Sequence, residues 1–511
     1  MLARVQSCAV LGVEGVLVEV EVEISDGLAT FTMVGVPDTA GHEARERVRI
    51  AIEKSGDYLF PQKQITVQLG RADLYHEGRA YDLPLALGIL LAAGQITPSD
   101  GQLADSLFLG EFSLDGSVRH TNGILPMVAL AAEKQVKTVF VPVEDATEAA
   151  LVKGVVIYPV ESLGQLLAHL NGKRQIEPYC ADPGICEHLH HVSYEYDMAM
   201  VKGQEHVKRA LEIAASGGHN VMMSGPPGSG KTFLARTLPS ILPDMTKAEA
   251  LDVTRIYSVN GMLPTEMPLV LQRPFHAQKQ TTNSADLHTD GSMLHRDEMS
   301  LAHQGVLFLD ELPMFGQREQ EVLHRTLEDK VVAISREHAT ITYPANFMLI
   351  ASMRPCPCGF FSDPVHECTC STTAIARYPK RISGPLLDRI DIHIEVPRVN
   401  YEKLTEKRNV ETSEMIRKRV QAARALQQQR LVDRKCTCNA EMGPTEVRDF
   451  CQTDTAGEKL LKEAGQLLHL PTHMYHHALK LARTIADLAE NELIKSNHLA
   501  EALQYRSRMG M

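Results

Sequence analysis

The stretch Gly225-Pro-Pro-Gly-Ser-Gly-Lys-Thr232 constrains this chain more than any other part of it. It satisfies G-x-x-x-x-G-K-[ST] at every fixed position. Gly225, Gly228 and Gly230 let backbone N–H groups approach anionic oxygens, with Pro226, Pro227 and Ser229 completing the loop. Lys231 reaches the β- and γ-phosphates of a bound nucleotide, and Thr232 offers its hydroxyl to Mg²⁺. The flanks agree. Asn220-Val-Met-Met-Ser224 reads as a short buried strand, and Phe233-Leu-Ala-Arg-Thr-Leu238 as the helix whose positive end faces the anion. A second element fits the first. Gly305-Val-Leu-Phe-Leu-Asp-Glu-Leu312 reads as a buried parallel strand delivering two carboxylates to its C-terminal edge. There Asp310 would hold Mg²⁺ through water, and Glu311 would orient and deprotonate the attacking water.

A chain of 511 residues exceeds one core, and ~100–200 residues per domain implies three or so. No apolar run approaches the ~18 residues that span a bilayer. The first residues superficially resemble a signal sequence. However, Glu14, Glu19, Glu21 and Glu23 interrupt the run, and the alternation after Gly15 fits a strand. The chain therefore reads as cytoplasmic, and its ten cysteines as thiols or metal ligands rather than a disulfide frame. A net charge of −12 argues against a broadly basic coat but leaves room for a local basic pore or loop.

Residues 1–170 read as an α+β domain. Leu17 to Ile24 alternates strictly, and Ala29 to Gly35 is expected to pair with it through a Ser25-Asp-Gly27 turn. A helix over 39–55, a strand over 65–69 and a buried helix over 81–93 follow, the last with Asp82 as its cap. Residues 171–197 read as a polar linker. Its Cys180, Cys186, His188, His190 and His191 could ligate a metal, but they match no specific zinc spacing, and a solvated linker is the favoured reading. Residues 198–400 form the α/β nucleotide module, and 401–511 a helical lid in which Arg483 is expected to face the nucleotide. Arg389, beside a strand start, either reaches a neighbouring subunit's γ-phosphate or pairs with Asp388 or Asp391. Cys356, Cys358, Cys368 and Cys370 form C-x-C-x₉-C-x-C, either a closed structural zinc site or free thiols on a loop.

Several strings together resemble the ComM/YifB family of AAA+ ATPases, magnesium-chelatase-like motors behind a Lon-like N-terminal domain. These are VKGQEHVKRALEIAASGGHNVMMSGPPGSGKT, SLAHQGVLFLDELPMF, RPCPCGF, SGPLLDRIDIHIEVP and LKLARTIADL. The likeness runs nearly end to end. It implies a P-loop core with a helical lid and a homo-hexamer with ATP between subunits. It also implies action on single-stranded or branched DNA, in branch migration during natural transformation. A helix-2 insert over 246–275 and a hairpin over 331–343 would point into the pore, with Arg336, Arg273 and Lys279 touching phosphates. Arg389 becomes the trans-acting arginine. The stretch GSVRHTNGILPMVALAAEKQVKTVFVP resembles Lon-type peptidase domains, but Asp82 and Leu125 stand near the serine and lysine positions and cannot form that nucleophile–base pair. The family's phosphate-sensing asparagine is replaced by Arg354, and the arginine of its second sensor by His473. A chelatase-like remodeller of a protein partner and an ATP-binding scaffold with weak hydrolysis remain open alternatives.

Overall fold

The structure is a computed structural model of the chain. It describes every residue except 35–37, 71–79, 99–102, 181–193, 265–267, 280–295, 336–339, 400–410, 468–470 and 507–511. The chain divides into two compact units. The first holds Met1–Leu189, Thr246–Leu271 and Ala333–Tyr343; the second holds His190–Met245, Gln272–Val332 and Pro344–Met511. Two segments interrupting the nucleotide module in sequence therefore belong to the N-terminal unit.

In the first unit, β1 (Leu2–Leu11) and β2 (Glu14–Ser25) form an antiparallel hairpin. Gly12 sits at its turn with φ +66°, a conformation glycine adopts without steric cost. Along β2, Val18, Val20, Val22 and Ile24 are buried while Glu19 and Glu23 stay exposed, as a two-residue period requires. β3 (Phe31–Val34) does not pair with β2. The four-stranded order is β1-β2-β4-β3, with β4 (Gln64–Leu69) between them. The helix Asp38–Lys54 carries the chain from β3 to β4, which lie parallel, and a parallel pair needs such a crossover. The expected Ser25–Gly27 hairpin is therefore a loop, and the hairpin that forms lies one strand earlier.

The helix Asp82–Ala92 is buried nearly all round. Its N-cap is Tyr81, not Asp82. Asp82 instead accepts two bonds from Arg47, at 2.6 and 3.0 Å, and one from the Phe112 amide at 3.1 Å. Leu125 is also buried. β5 (Ser106–Phe108) leads to an antiparallel pair, β6 (Glu111–Phe112) with β7 (Val118–Arg119), and then to β8 (Thr138–Pro142) and β9 (Val156–Val160). β5, β8 and β9 form a parallel sheet, with Phe108 stacked on Phe140 at 4.8 Å. The helix Lys247–Val259, opened by a Thr246–Glu249 capping box, belongs to this unit.

The second unit is built on β10 (Val221–Ser224), β11 (Phe275–Lys279), β12 (Val306–Asp310), β15 (Met348–Met353) and β16 (Ile392–Glu395). Between β12 and β15 in sequence, β13 (Val331–Ser335) and β14 (Thr340–Pro344) form a separate ribbon, most of it in the first unit. The five-stranded sheet is parallel in the order β11-β12-β15-β10-β16. Its first strand, β10, lies between its fourth and fifth. That reversal opens a crevice at the carboxyl edge, where open α/β sheets take their ligands. Helices Ser413–Arg430, Pro444–Phe450, Thr455–Leu467, Thr472–Leu488 and Ser496–Gln504 share one core with the sheet, through Val420, Val447, Leu461, Ile485 and Leu499.

Candidate functional site

The phosphate loop follows β10 and opens the helix Lys231–Thr237, whose N-cap Gly230 has φ +89°. Gly228 has φ +76°, and neither glycine meets other atoms where a Cβ would lie. Backbone conformation requires them. Gly225 is required by space: a Cβ there would lie 2.3 Å from the Val396 carbonyl oxygen. Lys231 is buried, and its Nζ donates to the carbonyls of Gly225 (2.8 Å) and Pro226 (3.0 Å). Burial pulls its ammonium below the ordinary lysine range, and Glu311 and Asp310 oppose that shift. Among the described residues the buried Ser229 hydroxyl has no hydrogen-bond partner. An unsatisfied hydroxyl within this glycine-rich loop fits a loop shaped for a phosphate.

β12 delivers the carboxylates to the same edge. Ser352, near the end of β15, donates from Oγ to Asp310 Oδ1 (2.6 Å) and accepts from the Glu311 amide (3.0 Å). Glu311 has φ +58°, an αL conformation that a non-glycine residue holds at a cost and that clusters at functional sites. Its carboxylate accepts from Arg354 Nε at 2.7 Å and from the Tyr378 hydroxyl at 3.4 Å. The bond to Glu311 raises the Arg354 guanidinium further, and burial pushes the Tyr378 phenol up to about 12. The structure thus brings Lys231, Asp310, Glu311 and Arg354 to one sheet edge. Sequence reasoning missed Ser352 and Tyr378. A serine near the end of an otherwise apolar strand was the available signal for Ser352; Tyr378 had none. It also missed Gln204, whose side-chain amide ties the Ser229 and Pro397 carbonyls together.

Other expected residues lie elsewhere. Arg389 precedes β16, which runs in register with β10 from Val221↔Ile392 to Ser224↔Glu395. It therefore sits at the amino edge, a strand length of roughly 13 Å from the loop. Its guanidinium pairs with Glu328 at 2.6 Å, not with Asp388 or Asp391. Asp391 is held by His219 and His477, and Asp388 lies 3.4 Å from His473. His473 is thereby at the amino edge as well, away from this chain's own phosphate loop. Arg483 does not face a nucleotide. It is buried and bonded to Asp487 (3.0 Å) and to the carbonyls of Asn491 and Glu492. Arg273 is not displayed for DNA; its guanidinium donates to the carbonyls of Pro243 (2.6 Å), Gln304 (2.7 Å) and Asp244 (3.3 Å). Arg336, the Lys279 side chain and the linker's Cys186, His188, His190 and His191 lie outside the described residues.

The four cysteines converge. Sγ of Cys356 lies 3.3 Å from Cys358 and 3.8 Å from Cys368, and Cys358 lies 3.6 Å from Cys368. All four sulfurs, Cys370 included, fall within 4.8 Å of one another. The Phe360 amide pulls the Cys358 thiol down to about 6, whereas desolvation and hydrogen bonds to the Cys358 and Cys356 sulfurs push Cys368 and Cys370 up. The group could hold a metal ion.

The comparisons agree with this architecture. The profile for magnesium chelatase, subunit ChlI, matches residues 197–404; those for subunit ChlI of Mg-chelatase and for the ChlI C-terminal region match 20–145 and 410–506. The chain is 38% identical to the competence protein ComM of Haemophilus influenzae, over 99% of this chain and 97% of that one. It is equally similar, with the same coverage, to an uncharacterized protein, YifB, of Escherichia coli. A distant likeness, 21% over 60% of this chain and 40% of the relative, is to the DNA replication licensing factor mcm7 of Schizosaccharomyces pombe.

Proposed function

Because the chain belongs to the ComM/YifB family of magnesium-chelatase-like AAA+ proteins, we propose that it is an ATP-driven motor that moves on DNA. Its work is branch migration of recombining strands during natural transformation, and its working form is a homo-hexamer. The single observation that carries the ATPase part is the convergence of Lys231, Asp310 and Glu311 on one sheet edge, with Ser352 bonded to both acidic residues. Lys231 would leave the loop carbonyls for the β- and γ-phosphates. Thr232 and Asp310 would hold Mg²⁺, which supplies charge neutralisation of the phosphoryl group in transfer. Glu311 would take the proton of the attacking water. DNA action is supported by the family resemblance and by the competence protein among the relatives. The motor core would be built on the second unit, a Lon-like scaffold would occupy most of the first, and the four thiols would hold a structural zinc.

The test is ATP turnover of wild type and Lys231→Ala with single-stranded and branched DNA. Turnover raised by DNA in wild type and lost in the variant is expected. DNA affinity should fall steeply with salt. Affinity that ignores salt, together with turnover that ignores DNA, would sink the DNA half while leaving the ATPase half standing.

One observation favours a second reading, an ATP-binding scaffold that hydrolyses weakly. Arg354 occupies the carboxylate of Glu311 that would act as the base. In a scaffold of that kind Glu311→Gln would barely change turnover.

A further inference from the structure

We propose that the zinc knot of Cys356, Cys358, Cys368 and Cys370 braces the phosphate loop and Arg354, so that metal occupancy sets nucleotide affinity. The coupling rests on the ATP-binding reading; the metal site does not. A tetrahedral ion with Zn–S bonds of ~2.3 Å spaces its sulfurs ~3.8 Å apart. The sulfur separations given above, 3.3 to 3.8 Å, approach that edge length and are far beyond the ~2.05 Å of a disulfide. Amides already point at the sulfurs, among them Cys358 N–H at Cys370 (3.4 Å) and Gly359 N–H at Cys356 (3.2 Å). Such second-layer bonds orient thiolate ligands.

The knot touches the nucleotide site at two places. Gly359, with φ +87°, lies directly after Cys358. A Cβ on it would come within 2.8 Å of Pro227 Cδ and 3.2 Å of Arg354 Cδ. The knot's backbone therefore rests on the middle of the phosphate loop and on the stem of the arginine that holds Glu311. The nine residues between the two cysteine pairs are tied on the other side. Asp363 pairs with Arg398 at 2.9 Å, and Arg398 follows the Val396 carbonyl packed on Gly225. Without an ion, weak amide–sulfur bonds and thiol–thiol contacts hold the second cysteine pair to the first. Release of the second pair frees Gly359, and with it the surface against which Pro227 and Arg354 are set.

The experiment uses the full chain. Zinc is counted by releasing it with a thiol-modifying mercurial into a chromogenic chelator, and the affinity of a fluorescent ATP analogue is measured alongside. One zinc per chain is expected in wild type and in Cys180→Ser, whose thiol is exposed and outside the cluster. Cys368→Ser and Cys370→Ser should lose the metal and bind the analogue about tenfold more weakly, as loosely held binding groups do. Since those variants risk misfolding, wild type is also stripped with a chelator under reducing conditions and then given zinc back. Affinity should fall and recover. Wild type without zinc, or stripped protein binding the analogue as tightly as before, overturns the proposal. Zinc-replete wild type that binds no nucleotide overturns the ATP reading and the coupling together, with the metal count still in hand.

Discussion

At the scale of single residues, an arginine's function follows from what its guanidinium already touches. Arg273 and Arg483 are both saturated by their own chain. Arg273→Ala leaves three partly buried carbonyls without their donor, so it should cost about 2–3 kcal/mol of stability. Its salt-dependent slope for DNA should not change. A melting curve and a salt titration separate the two effects; a normal melting curve with a shallower slope would restore Arg273 as a DNA contact. Glu311 carries the opposite expectation. Glu311→Gln should lower turnover by roughly 10²–10⁴-fold, the usual worth of a positioned general base, with nucleotide affinity retained. Direct binding and single-turnover measurements check both halves.

At the scale of elements, the helix Lys247–Val259 is fastened to the helix Ile124–Glu133 through one buried carboxylate. Glu148 accepts from the Leu125 amide (2.8 Å) and the Ser258 hydroxyl (2.5 Å), and the Gly123 amide donates to the Ser258 carbonyl (3.1 Å). Burial lifts Glu148 from 4.5 to about 7, against the pull of those two donors. The folded value is the higher one, so the folded chain favours the protonated acid. Its contribution is complete below 4.5 and is lost as pH rises through about 7. Asp145, also lifted by burial, acts in the same direction. Amide exchange in the two helices, corrected for intrinsic rates, should therefore quicken as pH climbs through neutrality. Glu148→Gln should flatten that response. Ser258→Ala, which removes a donor from a buried acceptor, should cost about 1–3 kcal/mol; exchange unchanged in that variant would show that the contact contributes nothing.

At the scale of the whole molecule, Arg389 and His473 could serve nucleotide hydrolysis only if another copy were present. Both lie at the amino edge of the sheet, and the phosphate loop lies at the carboxyl edge. An arginine at that edge serves hydrolysis only across a subunit boundary. Arg389→Ala should abolish turnover without weakening nucleotide binding. Mixed with Lys231→Ala protein, whose Arg389 is intact, it should regain part of that turnover, because each variant supplies what the other lacks. Mixtures as inactive as the separate proteins would assign Arg389 to its Glu328 pair alone.

The sequence by itself determined the phosphate loop, the acidic strand end and the cysteine cluster. Each is a local device, with its glycines, lysine, carboxylates or thiols packed into a short run whose spacing is its chemistry. Only the tertiary structure decided where β3 pairs, because a strand's partner depends on the crossover that follows it rather than on its own alternation. It also decided that Asp82 anchors Arg47, that Arg483 is buried, and that Arg354 closes on Glu311. Asp82 and Arg354 meet partners tens of residues away in sequence, and Arg483 turns inward onto the loop that follows its own helix; no periodicity encodes which segments the fold brings within reach or which face of a helix it buries.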